Sequence, residues 1–181
     1  MKDVDVLCLG YSPRELLCWV DRFPVGRDGI FAHRVVWTSG GMAGNLAHAV
    51  ARLGGRSALI SSVGDDAVGE DVIRELASAG VNTDFTIRRP GLQTPLVILA
   101  INPEAIRAGL VLHHDTNLTL QANEISDALL ERSGIFFTDM IPAEAAIVTA
   151  GRARLQGLTI AFDMQMAPQH QNLDGHSEHI T

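Results

Sequence analysis

The chain has 181 residues, of which 46% are hydrophobic and 19% charged, and its net charge at pH 7 is −7. This composition is typical of a folded globular protein and excludes an intrinsically disordered one. The balance of 14 basic against 21 acidic residues disfavours nucleic acids and anionic membranes as partners, because both require a basic surface. An anionic small molecule held in a local site is not excluded.

The cysteines and the N-terminus indicate the compartment. Cys8 and Cys18 are the only cysteines, form no CxxC pair and cannot build a disulfide scaffold. The first residues, "MKDVDVLCLG", mix charges with apolar residues, so they match neither a signal peptide nor a membrane span. We therefore expect a cytoplasmic protein without a membrane partner.

The first half of the chain alternates predicted strands and helices. In chain order the pattern predicts a buried strand Val4–Leu9, extended stretches at 14–20 and 29–37, a helix over 45–53 and a strand over 57–63. A second helix follows, which Asp65 or Asp66 can cap and which Gly80 ends.

The second half begins with a different pattern and then resumes the alternation. "TPLVILAIN" and "AIRAGLVLHHD" predict a hairpin around "NPE". A helix over 123–132, a strand "GIFFTDM", a helix opened by Pro142 and a strand "LTIAFD" complete the series. The alternation predicts an α/β fold, a parallel sheet with helices on both faces. The stretches 14–37 and 94–113 do not fit it and predict a small separate sheet over the main one.

The stretch "TSGGMAGNLAHAVARLGG", from Thr38 to Gly55, places a glycine pair directly before a helix. The dinucleotide-binding fingerprint needs glycine at its first, third and sixth positions, and the nearest frame starts at Ser39 instead. A phosphate-binding loop of the Walker type is absent, because no Gly-Lys-Ser/Thr follows. The alternatives left by the residues alone are a turn that packs a helix on the sheet or a close approach of the backbone to a ligand.

The wider context resembles the ribokinase (PfkB-type) family of sugar and nucleoside kinases. The family pattern is a Gly-Gly pair, an Asn four residues later, Ala-Arg-Leu-Gly, then a strand leading to Gly-Asp-Asp-x-x-Gly and a helix that ends at Gly-Val. This sequence matches it at Gly40, Gly41, Asn45, Ala47, Ala51, Arg52, Leu53, Gly54, Gly64, Asp65, Asp66, Gly69, Gly80 and Val81. The resemblance extends more loosely from Val4 to Asp163.

The resemblance implies that the glycine pair approaches sugar hydroxyls rather than the phosphates of ATP. Gly40, Gly41 and Asn45 are then substrate-binding residues, since glycine admits a close approach and an amide offers both a donor and an acceptor. Valine at Gly41 is expected to abolish binding while the protein stays folded. The small extra sheet corresponds to the β-lid of the family, whose strands often pair between subunits, so a homodimer through the lid is expected.

Two acidic residues stand near positions where the family contacts the sugar. Glu15, in "GYSPREL", follows the first strand at about the offset of a family carboxylate; the alternative is a surface residue of the lid. Asp139 ends the strand "GIFFTD" near another polar sugar contact, and capping of the helix at Pro142 is an equal alternative.

The resemblance also has a limit. Family members run to roughly 300 residues, and their later half carries an Asn-x-x-Glu segment that organises magnesium and a Gly-Ala-Gly-Asp motif whose Asp is the catalytic base. Neither motif occurs in residues 1–181. We therefore expect a truncated single ribokinase-like domain over 1–181, with no catalytic residue in this chain and the base beyond residue 181.

The resulting hypothesis is an ATP- and Mg²⁺-dependent kinase for a sugar or related polyol, inactive as residues 1–181 alone. The alternatives are a nucleoside kinase of the same family and a non-catalytic sugar- or nucleoside-binding protein. A zinc site at His176, His179 and Glu178 or Asp174 is disfavoured against a solvated tail, and His113 or His114 could face the substrate from the lid.

Overall fold

The computed structural model of the protein describes residues 2–113 and 115–163. Within these residues the larger sheet has five parallel strands, β1 Val4–Leu9, β4 Ser57–Gly64, β5 Thr86–Arg89, β8 Ser133–Thr138 and β9 Thr159–Phe162. Their order across the sheet is β5-β4-β1-β8-β9. In an open parallel sheet, ligands bind beyond the carboxyl ends of the strands.

Four α-helices of the described residues cover the larger sheet on both faces, as predicted. They are α1 Met42–Arg52, α2 Ala67–Ser78, α3 Asp127–Glu131 and α4 Ala143–Leu155. One buried cluster joins α1 and α2 to Cys8, Leu59 and Phe137. A second, on the opposite face, joins α3 and α4 to Leu9 and Phe136. Successive strand residues thus serve opposite faces, which is why these strands read as continuous apolar runs.

The other four strands form a separate smaller sheet in the order β3-β2-β6-β7. They are β2 Arg14–Val20, β3 Ala32–Ser39, β6 Leu96–Ile101 and β7 Arg107–Leu112. β2 is antiparallel to β3 and parallel to β6, and β6 and β7 form the predicted hairpin. The predicted second sheet is therefore confirmed, at 14–39 and 96–112.

A glutamate of the larger layer holds the base of the small sheet. Glu75 on α2 pairs with Arg14 at the start of β2 and accepts hydrogen bonds from Thr38 Oγ1 at 3.1 Å and from the backbone N–H of Ser39 at 3.0 Å. The first residue of β2 and the last two of β3 are thereby fixed to α2.

Two local predictions need correction. The helix expected over 123–132 is a 3-10 turn, Ala122–Glu124, followed by the short α3. The guanidinium of Arg152 on α4 donates to the carbonyls of Ala122 and Ile125 at 2.8 and 2.7 Å. These two carbonyls therefore accept hydrogen bonds from a side chain instead of from a continuous α-helix. β5 was not predicted, because "TIRR" carries two arginines and no apolar run.

Asp66, one of the two predicted caps, begins α2: its carboxylate accepts from the backbone N–H of Gly69 at 2.8 Å. No helix within the described residues is long and apolar enough to cross a membrane.

Candidate functional site

An open cavity of about 630 Å³ lies where the small sheet meets the carboxyl ends of β1 and β8 and the start of α1. A cavity of this size is in the range of small-molecule sites. Its lining residues are Tyr11, Pro13, Glu15, Gly41, Met42, Asn45, Val97, Leu99, Arg107, Val111, Asp139 and Ile141. Four of the five residues predicted to bind substrate are therefore in its wall.

Asp139 lies directly after β8, and its side chain is buried in the cavity wall. The backbone N–H groups of Tyr11 and Ala43 donate to Oδ2 at 3.0 and 3.3 Å, and that of Ile141 donates to Oδ1 at 3.0 Å. A carboxylate has about four acceptor positions, so Oδ1 retains capacity for one more donor, such as a ligand hydroxyl. Burial raises the pKa of Asp139 to about 6, against these hydrogen bonds, which lower it.

The helix that Asp139 caps is α1, not the helix after Pro142. Ala43 is in the first turn of α1, where a carboxylate also complements the positive end of the helix dipole. The N-cap position of α4 is Pro142, and among the described residues no side chain caps this helix. The alternative assignment of Asp139 to the Pro142 helix is therefore wrong.

Glu15 belongs to β2 and faces the cavity from the small sheet. Its Oε1 accepts from the backbone N–H of Gly41 at 3.3 Å. A Cβ built at Gly40 would lie 1.9 Å from the Glu15 carboxyl carbon, so glycine at 40 makes room for this carboxylate. Gly40 does not line the cavity; it lies beneath Glu15.

The backbone conformation at position 41 requires glycine. Its φ of 76° is in the left-handed region, and a Cβ there would lie 2.0 Å from the carbonyl oxygen of Tyr11. A side chain at 41 would strain the polypeptide itself, which revises the expectation that a valine variant stays folded. The turn and the close approach to a ligand are compatible, because Gly41 also lines the cavity.

Asn45 completes the predicted set. It lies in the first turn of α1, is solvent-exposed and lines the cavity, and within the described residues its amide has no hydrogen-bond partner. The start of α1 thus holds two carboxylates through backbone N–H groups and presents an amide beside them. This arrangement offers acceptors and a donor to a ligand rich in hydroxyl groups.

Two polar residues of the wall were not predicted. Tyr11 is partly buried, two residues after β1, and this burial together with the nearby Glu15 carboxylate raises the pKa of its phenol to about 12. Arg107 begins β7, far from the glycine motif in sequence. Arg107 belongs to no local motif, so only the pairing of strands could have revealed it, whereas the position of Tyr11 after β1, at the edge where ligands bind, was a usable signal.

Other candidates lie elsewhere. His113 lines a different open cavity with Asp115 and Gln93, and His114, like the proposed zinc residues 174–179, is outside the described residues. Within 2–113 and 115–163, no three His, Cys, Asp or Glu side chains cluster closely enough to hold a metal ion.

The sequence profile described as pfkB family carbohydrate kinase matches residues 4–174. The chain belongs to this family of carbohydrate kinases. Mouse ribokinase is 26% identical over 172 residues, which cover 93% of this chain and 52% of that protein. The ATP-dependent ribose-1-phosphate kinase of Halopiger xanaduensis is 32% identical over 164 residues, 88% of this chain and 54% of that protein.

A solved structure agrees with the family assignment. The crystal structure of Xylella fastidiosa fructokinase with bound ATP superimposes with a TM-score of 0.73 at 25% identity, over 99% of this chain and 56% of that one. The chain spans about half the length of the two curated relatives.

Proposed function

We propose that the complete protein transfers the γ-phosphate of ATP to a hydroxyl of a sugar or related polyol. The observation that carries this proposal is the placement of Glu15, Asp139 and Asn45 around one cavity at the start of α1. Carboxylate and amide oxygens accept hydrogen bonds from hydroxyls, and backbone N–H groups keep the two carboxylates in place.

The role of these residues is to bind and orient the substrate. Asp139 accepts from one hydroxyl through Oδ1, Glu15 from another, and the Asn45 amide both donates and accepts. Gly41 brings backbone close to the sugar, and Gly40 leaves room for Glu15. Fixing a hydroxyl in line with a donor phosphate removes much of the entropic barrier of transfer.

ATP as the phosphoryl donor is supported by the structural relative solved with bound ATP. Bound Mg²⁺ would neutralise charge on the transferred phosphate, but the described residues contain no cluster to hold it, and we assign it no ligand here. We further propose that residues 1–181 form one ribokinase-like unit whose base, anion hole and magnesium ligands lie beyond it. Residues 1–181 alone should then show no turnover.

A homodimer through the small sheet is part of the proposal. One face of the small sheet carries Val35 and Trp37 on β3 and Leu110 on β7. The exposed fractions of these three residues are 52%, 51% and 58%. A second copy would cover this apolar face and an unpaired edge.

We also propose that the protein is cytoplasmic. Cys8 and Cys18 are both free thiols, which supports this location.

The test is ATP-dependent phosphorylation of a sugar and nucleoside panel by the complete protein and by residues 1–181. Turnover of sugars by the complete protein alone supports the proposal. Preference for nucleosides favours the nucleoside kinase, and binding without turnover favours a non-catalytic binding protein. Turnover by residues 1–181 would refute the assigned position of the base and would make Asp139 and Asp163 the first candidates for it.

A further inference from the structure

The position of Arg107 on the small sheet makes it face the substrate cavity. Arg107 pairs with Ile101, and two residues further along each strand Gly109 pairs with Leu99 and Val111 with Val97. Side chains two residues apart on a strand share a face. Val97, Leu99 and Val111 all line the cavity together with Arg107, so the guanidinium is on the side of the sheet where the substrate binds.

The guanidinium of Arg107 has no carboxylate partner within the described part of the chain. Eight other arginines form ion pairs with Asp or Glu there. The two carboxylates of the cavity wall are engaged elsewhere: Glu15 accepts from Gly41 and Asp139 from three backbone N–H groups. Arg107 is also the only basic side chain among the described residues of this wall.

The cavity is therefore polarised. Acceptors for hydroxyls lie at the start of α1, and a cation with apolar neighbours lies on the small sheet. Guanidinium binds phosphate and carboxylate through two parallel hydrogen bonds, and Arg107 is exposed on the cavity side of the sheet, where an entering ligand can reach it. An uncharged sugar would offer this cation no opposite charge.

We propose that the substrate carries an anionic group, a phosphate or a carboxylate, and that Arg107 binds it. This inference rests on the proposed kinase function and specifies the substrate class of the same site. Arg107 is thereby a specificity-determining residue: it selects a sugar phosphate or a sugar acid over the corresponding neutral sugar.

The experiment compares matched pairs of substrates in the complete protein: fructose against fructose 6-phosphate, and glucose against gluconate. The measured quantity is the ratio of kcat/KM for the anionic to the neutral member. In Arg107→Gln this ratio should fall about 100-fold or more for the preferred pair, and Arg107→Lys should recover part of it, since lysine keeps the charge but not the two-pronged geometry. Arg27→Gln, in the loop between β2 and β3, removes the same charge outside the cavity and should leave the ratio unchanged.

Calorimetric binding of the same four compounds separates this inference from the kinase proposal. Arg107-dependent binding of an anionic member without any turnover would support the anion site and overturn the kinase function. Turnover of neutral sugars with a ratio that Arg107→Gln does not change would overturn the anion site and leave the kinase function standing. Equal losses in the Arg107 and Arg27 variants would also overturn it, because a general charge effect would then suffice. The phosphate and carboxylate pairs show which anion is bound.

Discussion

The two sheets of the protein are stabilised in different ways. The larger sheet is packed between two helical layers, and Leu7, Leu9 and Leu59 in its central strands are fully buried. In the described part of the chain no helical layer encloses the small sheet: most of β3 and β7 is exposed, and its base is tied to the rest by Glu75. The larger sheet thus supplies a rigid frame for the site, whereas the small sheet supplies the wall that depends on a few polar contacts.

The largest effect is expected at Gly41, where the two sheets meet. Gly41→Ala adds a Cβ 2.0 Å from the Tyr11 carbonyl at φ 76° and ψ 151°, a backbone conformation that only glycine normally adopts, which should cost several kcal/mol (roughly 1–3 from the backbone and 1–3 from overpacking). The shifted α1 start would displace both carboxylates, so kcat/KM should fall at least about 100-fold. Thermal unfolding and steady-state kinetics of the complete protein measure the two effects.

Gly54→Ala is the matched control for this variant. Gly54 also has a left-handed φ, 86°, but no atom lies within 4 Å of a Cβ built there. It should lose only about 1–2 kcal/mol and keep near-normal kinetics. If Gly41→Ala and Gly54→Ala lose the same stability and keep the same kcat/KM, the close contact between Gly41 and the Tyr11 carbonyl contributes nothing to the site.

The difference between the sheets also explains how far the sequence predicts the structure. β1 was predicted with its observed bounds, and β4 and β8 to within two residues, because strands buried on both faces leave continuous apolar runs. The small sheet was predicted only as extended stretches that break the alternation. Its strand order depends on pairing between β2 and β6, which are far apart in the chain.

The candidate site divides in the same way. Asn45 and the glycine pair lie in one local motif, and Glu15 and Asp139 stand near positions where the family contacts the sugar, so the resemblance was enough to select them. Arg107 reaches the cavity only through the pairing of strands, whereas Tyr11 follows β1 at the edge where ligands bind. The bonds from Ala43 to Asp139 and from Gly41 to Glu15 span 96 and 26 residues, and no sequence period encodes them.

The second effect concerns Asp139, the carboxylate that the larger sheet contributes. Its pKa in the folded protein is about 6 against 3.8 for an ordinary aspartate, so its contribution to stability is complete below pH 3.8 and is lost as the pH rises through 6. The change amounts to about 3 kcal/mol. Urea unfolding between pH 3.5 and 7 measures the free energy of unfolding of the complete protein and of Asp139→Asn. The difference between these two free energies should change by about this amount over that pH range.

Asp163 is the control for this pH effect. Its carboxylate follows β9 at the same end of the sheet, but it does not line the cavity. The pH slope of Asp163→Asn is the reference for removing a carboxylate at this end of the sheet without removing one from the cavity. A slope that Asp139→Asn does not change would mean that the backbone hydrogen bonds to this carboxylate fully offset the effect of burial on its pKa.

The third effect is at Asn45, where the site depends on α1 rather than on either sheet. If its amide bonds a substrate hydroxyl, Asn45→Ala loses a hydrogen bond and leaves its partner unsatisfied, which costs on the order of 1–3 kcal/mol. The KM for the sugar should rise, or its kcat/KM fall, about tenfold or more, while the KM for ATP is spared. Arg52→Ala, at the other end of α1, controls for changes in the helix. Equal losses for both substrates would indicate a folding role.

The smallest effect is expected at Glu75, and it tests the attachment of the small sheet. Burial alone would raise the pKa of Glu75, but the hydrogen bonds from Ser39 and Arg14 outweigh it and keep that pKa below its usual value, so its contribution is present near neutral pH and is lost in acid. Glu75→Gln weakens the attachment by no more than about 1 kcal/mol, since the side chain is 34% exposed. Amide exchange in β2 and β3 should accelerate a few-fold, with the central strands of the larger sheet unaffected.

Glu70→Gln is the matched control, because Glu70 is also on α2 and pairs with Arg88 at an exposed position away from the small sheet. It should change exchange in neither sheet. In Glu75→Gln the sugar KM should rise by a similar few-fold factor, since Glu15 reaches the cavity from β2, the strand that Arg14 begins. Faster exchange in both sheets would mean that Glu75 stabilises the whole fold, and unchanged exchange in β2 and β3 would mean that the small sheet is held by its apolar contacts instead.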